Sequence, residues 1–117
     1  MKPMKRVYVA GPYTKGTMAF NIRQAIEAAD CLIGLGFAPF IPHLYFLSDL
    51  AGFYQDYETW MDVEASFLET CEFCVRLPGV SAGADREVAF CKERGIPVYT
   101  MEEVRELYDQ RTEQDDT

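Results

Sequence analysis

The 117-residue sequence predicts one α/β domain built on a mainly parallel sheet of four or five strands. Two observations predict it. Short β-branched and aromatic runs alternate with stretches of helical periodicity, which in such a chain means right-handed βαβ units. The length also suffices for one hydrophobic core but not two, and neither an internal repeat nor a linker divides it.

The first strand is Val7-Tyr8-Val9-Ala10, ended by Gly11-Pro12. The loop Gly11-Pro12-Tyr13-Thr14-Lys15-Gly16 follows, with two glycines, a hydroxyl and a lysine. Ile22, Ile26, Ala29, Leu32 and Ile33 recur at helical spacing, and Gly36 suits the left-handed position just past that helix. Phe37 to Pro42 is a second strand, and its prolines place it near a sheet edge. It runs into His43, the only histidine. Residues 44–57 are apolar without a clean period; they form either a short helix and loop over a site or part of the core. A helix resumes near Tyr57, with Trp60, Met61, Ala65, Leu68 and Cys71 as its inner stripe. Phe73 to Leu77 is the third strand, followed by a helix over 84–94 that Gly95 closes. Ile96-Pro97-Val98-Tyr99 is the last strand and Met101 to Tyr108 the last helix. The domain therefore spans 1–110, and 111–117 is expected to be a disordered acidic tail. This order of elements predicts a three-layer Rossmann/flavodoxin-like sandwich. In such sheets ligands bind beyond the carboxyl ends of the strands, where the strand order reverses. Gly11–Gly16, His43 and Gly79–Gly83 all follow strand ends and belong on that rim.

The formal net charge of -8 argues against nucleic-acid backbone binding. Met1-Lys2-Pro3-Met4-Lys5-Arg6 leads straight into the first strand, so no signal peptide is expected, and no run approaches membrane-spanning length. Four cysteines are scattered through apparent core elements. The single pair Cys71-x-x-Cys74 lacks the second pair or histidine cluster of a zinc site. Buried thiols in a reducing cytoplasm, with no metal and no cofactor, are the expectation.

The most informative stretch is Gly79-Val80-Ser81-Ala82-Gly83-Ala84-Asp85-Arg86-Glu87. A strand, a small-residue loop and the first turn of a helix meet here. Outward N–H groups and the positive end of the helix dipole suit an anion such as a phosphate. Glu87 places a carboxylate at the same point. An acid there is ordinarily a surface residue complementing the dipole, so the remaining residues must decide its role.

They do so as an ordered set: Val7 to Tyr13, Asn21, Gly36-x-x-Pro39, Pro42-His43, Trp60, Leu68-x-x-Cys71, Ser81-x-Gly83-Ala84-x-x-Glu87 and Gly95-Ile96-Pro97-Val98. Over roughly residues 5 to 100 the chain resembles the nucleoside 2-deoxyribosyltransferase-like superfamily, in its small bacterial and phage branch. The resemblance implies cleavage of the N-glycosidic bond of a (deoxy)nucleoside 5′-monophosphate. It makes Glu87 the nucleophile, forming a glycosyl ester, and Tyr8 the residue that orients it. It also makes Glu64 the second acid, in a place that holds aspartate in relatives. The chemistry is sound in its own right: one carboxylate behind the sugar and one acid for the leaving base, with their pKa values pushed apart by proximity.

Relatives that transfer deoxyribose carry aspartate where this chain has Ser81, and the monophosphate N-glycosidases carry serine. A serine hydroxyl beside bare N–H groups accepts phosphate, with Gly83, Thr14 and Lys15 in support. Asp85, where those hydrolases carry glycine, is expected to face away from Glu87 on the helix. Gly11, Pro12 and Tyr13 complete the expected binding loop; Trp60, Tyr13 and Phe46 form either a stacking wall for a base or ordinary core. His43 either lines the pocket or packs a turn. The alternatives are a deoxyribosyltransferase moving the sugar between bases and a non-catalytic nucleotide-binding protein of the same fold. The resemblance further implies a homodimer or higher homo-oligomer.

Overall fold

The computed structural model describes residues 1–115, with the backbone alone for Phe46 and for 109–115. Strands β1 (Lys5–Ala10), β2 (Phe37–Phe40), β3 (Phe73–Arg76) and β4 (Val98–Tyr99) form one parallel sheet in the order β2-β1-β3-β4. Helices α1 (Met18–Gly34), α3 (Tyr57–Leu68), α4 (Ala82–Arg94) and α5 (Met101–Asp115) connect or follow them. Residues 44–57 add no fifth strand: a 3-10 turn over Pro42–Tyr45 runs into the short helix α2 (Phe46–Leu50).

The period of two along β1 sends Val7 and Val9 to one face and Tyr8 and Ala10 to the other. On the first face Val7 and Val9 pack with Ala25, Ala28 and Leu32 of α1 and Val104 of α5. On the second, Tyr8 and Ala10 pack with Leu68, Cys71, Cys74, Ala84 and Cys91 from the α3–α4 side. The result is the three-layer α/β sandwich expected from the alternating pattern. Pro39 pairs opposite Val7 on the edge strand β2, where a missing N–H leaves no ladder gap on the outer side.

Two elements differ from the periodicity. Helix α1 buries Asn21, Ala25, Ala28, Ala29 and Leu32, while Ile26 and Ile33 are exposed. The inward face is the one with small residues, because alanines let the helix axis approach the sheet closely. Helix α5 runs to Asp115 rather than stopping near Tyr108. Positions 111–115 of the expected disordered tail are thus helical, in keeping with their content of Arg, Glu and Gln, and 116 and 117 lie outside the described residues. Among the described residues no helix is long and apolar enough to cross a membrane.

The chain passes from β1 to β2 on one side and returns to β3 on the other, so the order reverses at the carboxyl ends of β1 and β3. The loops there are locked together. A Cβ on Gly11 would lie 2.9 Å from Leu77 Cβ, and one on Gly79 would lie 2.7 Å from Pro12 Cγ. Gly79 also holds φ at +113°, where only glycine is unstrained.

Candidate active site

A crevice of about 190 Å³ opens at this reversal point. Three elements bring one side chain each to its depth. Tyr8, on the central strand, is fully buried and donates its O–H to Glu87 Oε2. Glu87 lies in the second turn of α4 and is only 6% exposed. Glu64, from α3, lines the same cavity and interacts electrostatically with this pair.

Burial dominates the electrostatics of the cluster. It pushes the Glu64 carboxyl up to about 7, against the opposing hydrogen bonds of Glu87 and Tyr8. It pushes Glu87 up to about 8; the Tyr8 hydrogen bond pulls down and the Glu64 charge pushes up. The Tyr8 phenol is raised well above its ordinary value, by burial first and then by the two carboxylates. Two acids this close behave as one titrating unit that holds a proton into the neutral range.

That proton has a consequence for stability. Both carboxyls have folded-state values above the ordinary 4.5, so below pH 4.5 they are protonated whether the chain is folded or not. As the pH rises the unfolded chain ionises first, and stability falls until the pair ionises in the fold. His43, held below 6.5 by burial, acts in the opposite sense up to that pH, and Cys91, held below 9 by its hydrogen bond with Cys74, does so in wild type and variant alike. The pair is therefore read from the difference between the two proteins from 6.5 to about 8. We expect the melting temperature to decline across this window, and the decline to be shallower in Glu64→Gln. A pH series of thermal melts on both proteins checks this; parallel curves would contradict it.

The helix start beside the carboxylates is built locally. Ser81 caps α4, its Oγ accepting from the Ala84 N–H at 3.0 Å. Ser81, Gly83 and Ala84 all line the cavity. Asp85 is exposed and pairs with Arg76 at 3.1 Å, on the side away from the crevice lining. Opposite, Asn21 donates to the carbonyls of Tyr13 (3.0 Å) and Lys15 (2.7 Å), which shapes the loop after β1. His43 Nε2 lies 3.0 Å from the Pro12 carbonyl; since a carbonyl only accepts, this nitrogen carries the proton. The ring is 3% exposed, and its Nδ1 is buried without a partner. Aromatic side chains form the walls, with the rings of Tyr45 and Trp60 4.6 Å apart and Tyr13 edge-on to His43 at 6.2 Å.

Gly11, Tyr13, His43, Trp60, Glu64, Ser81, Gly83 and Glu87 thus line one cavity, with Tyr8 directly behind it. Pro12 is buried against Gly79 outside the lining, and Thr14 and Lys15 are exposed and also outside it. Of the three groups expected to help Ser81 receive a phosphate, Gly83 therefore lines the crevice and Thr14 and Lys15 do not. The Phe46 side chain lies outside the described atoms. The sequence did not single out Asp49, Tyr45, Tyr57 and Met61 as lining residues, or Asn21 as a loop clamp. A clue existed in Asp49, an acid inside an otherwise apolar segment.

Fold and crevice together define a doubly wound α/β protein whose reversal point is occupied by a buried tyrosine and a carboxyl pair. By sequence the chain belongs to the family described as Domain of unknown function (DUF7768), which matches residues 5–101. No curated protein matches it significantly. Among solved structures it is similar to the 2-desoxiribosyltransferase from Leishmania mexicana, with a TM-score of 0.63 and 15% identity over 82% of this chain and 63% of that one. It is equally similar to a 2-deoxyribosyltransferase from the psychrotolerant bacterium Bacillus psychrosaccharolyticus, with a TM-score of 0.63 and 17% identity over 80% of this chain and 69% of that one. At such identities the likeness establishes a shared fold. The chain spans just under two thirds of the length of the Leishmania protein.

Proposed function

We propose that this protein cleaves the N-glycosidic bond of a nucleoside or nucleoside 5′-monophosphate through a covalent glycosyl–Glu87 intermediate. The observation that carries the proposal is the buried cluster of Tyr8, Glu87 and Glu64 at the depth of an aromatic-walled crevice. The deoxyribosyltransferase fold of the two solved neighbours supports it, as does the description of the bacterial one as a biocatalyst for nucleoside synthesis.

The shared proton must sit on one acid. Burial gives Glu87 the higher value, about 8 against about 7 for Glu64. The O–H donated by Tyr8 and the positive charge that develops on the sugar both favour an ionised Glu87, however, so in the reactive state Glu87 carries the charge and Glu64 the proton. Glu87 then attacks the anomeric carbon as the C–N bond breaks, and Glu64 passes its proton to the departing base. The resulting ester is cleaved by water or by a second base, whose proton returns to Glu64. Tyr45, Trp60 and Tyr13 offer faces for the base. Incubating the purified protein with the common deoxynucleosides and their 5′-monophosphates and assaying free base tests the proposal. Release of base from at least one supports it, and release from none refutes it.

The monophosphate reading has its own support in Ser81, Gly83 and Ala84, which place the positive end of α4 on the crevice. A non-catalytic nucleotide-binding protein remains the competing class, because Glu64 reaches one methylene further than the aspartate of relatives. Buried free thiols at Cys71, Cys74 and Cys91 fit a reducing compartment such as the cytoplasm.

We further propose a homo-oligomer. Leu44, Leu47, Leu50, Phe53 and Tyr54 are exposed on the segment that also supplies crevice walls, an apolar surface that a second copy would cover. Light scattering should return a multiple of 13.4 kDa, and a mass near 13.4 kDa at every concentration would contradict it.

A further inference from the structure

We infer that Asp49 makes this crevice select an uncharged nucleoside over the corresponding 5′-monophosphate. The inference rests on the glycosidic function proposed above and names the substrate class within it.

Three acidic residues line the cavity, Asp49, Glu64 and Glu87, and among the described residues no lysine or arginine does. Glu64 and Glu87 are committed to each other and to Tyr8. Asp49 comes from α2 and has no ion-pair partner among the described residues. It lines the cavity together with Tyr13, whose phenol is raised by burial first and then by the Asp49 charge. The cations that flank the site are engaged elsewhere. Arg76 donates to the carbonyls of Leu77 and Gly79 and pairs with Asp85. Arg86 pairs with Glu58 at 2.8 Å and stacks over the Tyr57 ring. Lys15 is exposed and outside the lining.

A 5′-phosphate would bring one to two further negative charges into a space of about 190 Å³. Charges that share a partly enclosed crevice are screened less than charges in open solvent, so Asp49 would repel such a group. The start of α4 offers only the partial charge of a helix end, and Ser81 Oγ already accepts from the Ala84 N–H. A sugar hydroxyl or a base amino group meets the opposite situation, because each can donate to a carboxylate that lacks a partner. Asp49 therefore both attracts the uncharged substrate and disfavours its phosphorylated form.

The test compares wild type with Asp49→Asn, using the four common 2′-deoxynucleosides and their 5′-monophosphates. Both kcat/KM for base release and the dissociation constant, measured calorimetrically in a Glu87→Gln background that blocks turnover, are recorded. Wild type should favour the nucleoside, and Asp49→Asn should shift the nucleoside-to-monophosphate ratio towards the monophosphate by about tenfold, the effect of removing one unit charge at this range. A role of Asp49 confined to folding would lower both values and leave their ratio unmoved, which would overturn the inference. So would a wild-type preference for the monophosphate, or binding of neither ligand. If binding shows the predicted ratio but no base is released, the glycosidic function fails while the selectivity of Asp49 stands.

Discussion

Glu87→Gln is expected to fold as wild type does and to lose base release by about 10³-fold or more, the effect of removing several kcal/mol of transition-state stabilisation. The amide keeps the size of the acid and an oxygen that can still accept from Tyr8, so the packing between β1 and α4 survives. It also removes a charge from a site that burial disfavours, so the variant should melt no lower than wild type at neutral pH. What it lacks is nucleophilicity. Melting curves and a base-release assay on the same preparation check both halves. Unchanged turnover would remove Glu87 from the mechanism, and a collapsed fold would show that the carboxylate is structural.

The second large effect is expected at Glu64. Glu64→Gln cannot protonate a leaving base, so kcat should fall by about 10²- to 10⁴-fold, the usual contribution of a positioned acid, while KM changes little. The loss should be smaller for a substrate with a good leaving group, such as a nucleoside whose base already carries a positive charge. That dependence separates proton donation from a structural contribution, since misplacing α3 would slow all substrates alike. Glu64→Asp is informative beside it. The shorter arm is the residue that the sequence resemblance implies at this position, so substantial activity in that variant is expected, and its absence would mean the crevice is built for the longer side chain.

Much of this architecture is legible in the residues, and the reasons are physical. The strand β3, the glycine-containing loop and the capped start of α4 follow from an apolar run, Gly79 and Ser81, each acting through local backbone preference. The placement of that loop against Gly11–Tyr13 follows from topology alone, because parallel strands put their carboxyl ends on one rim. What local pattern conceals is which side of an amphipathic stretch faces in. On α1 the large residues Ile26 and Ile33 dominate the apolar signal, yet Ala25, Ala28 and Ala29 are the face that fits against the sheet, and Asn21 comes inward because the β1 loop needs a donor. Segment 44–57 conceals more. Its leucines and aromatics look like core, and most remain exposed, while Tyr45 and Asp49 turn into the crevice. Such a choice depends on where the carboxylates and the partner loop lie in space, which spacing along the chain does not encode.

The proposed chemistry predicts a covalent intermediate, and trapping it is the most direct measurement. A 2′-fluorinated deoxynucleoside slows the breakdown of a glycosyl ester by destabilising the positively charged sugar through which the ester must pass. Intact-mass analysis after incubation with such a substrate should show the protein heavier by one fluorinated sugar, and peptide mapping should locate the addition at Glu87. Base release from the natural deoxynucleoside with no adduct from the fluorinated one, or an adduct at any other residue, would contradict the mechanism.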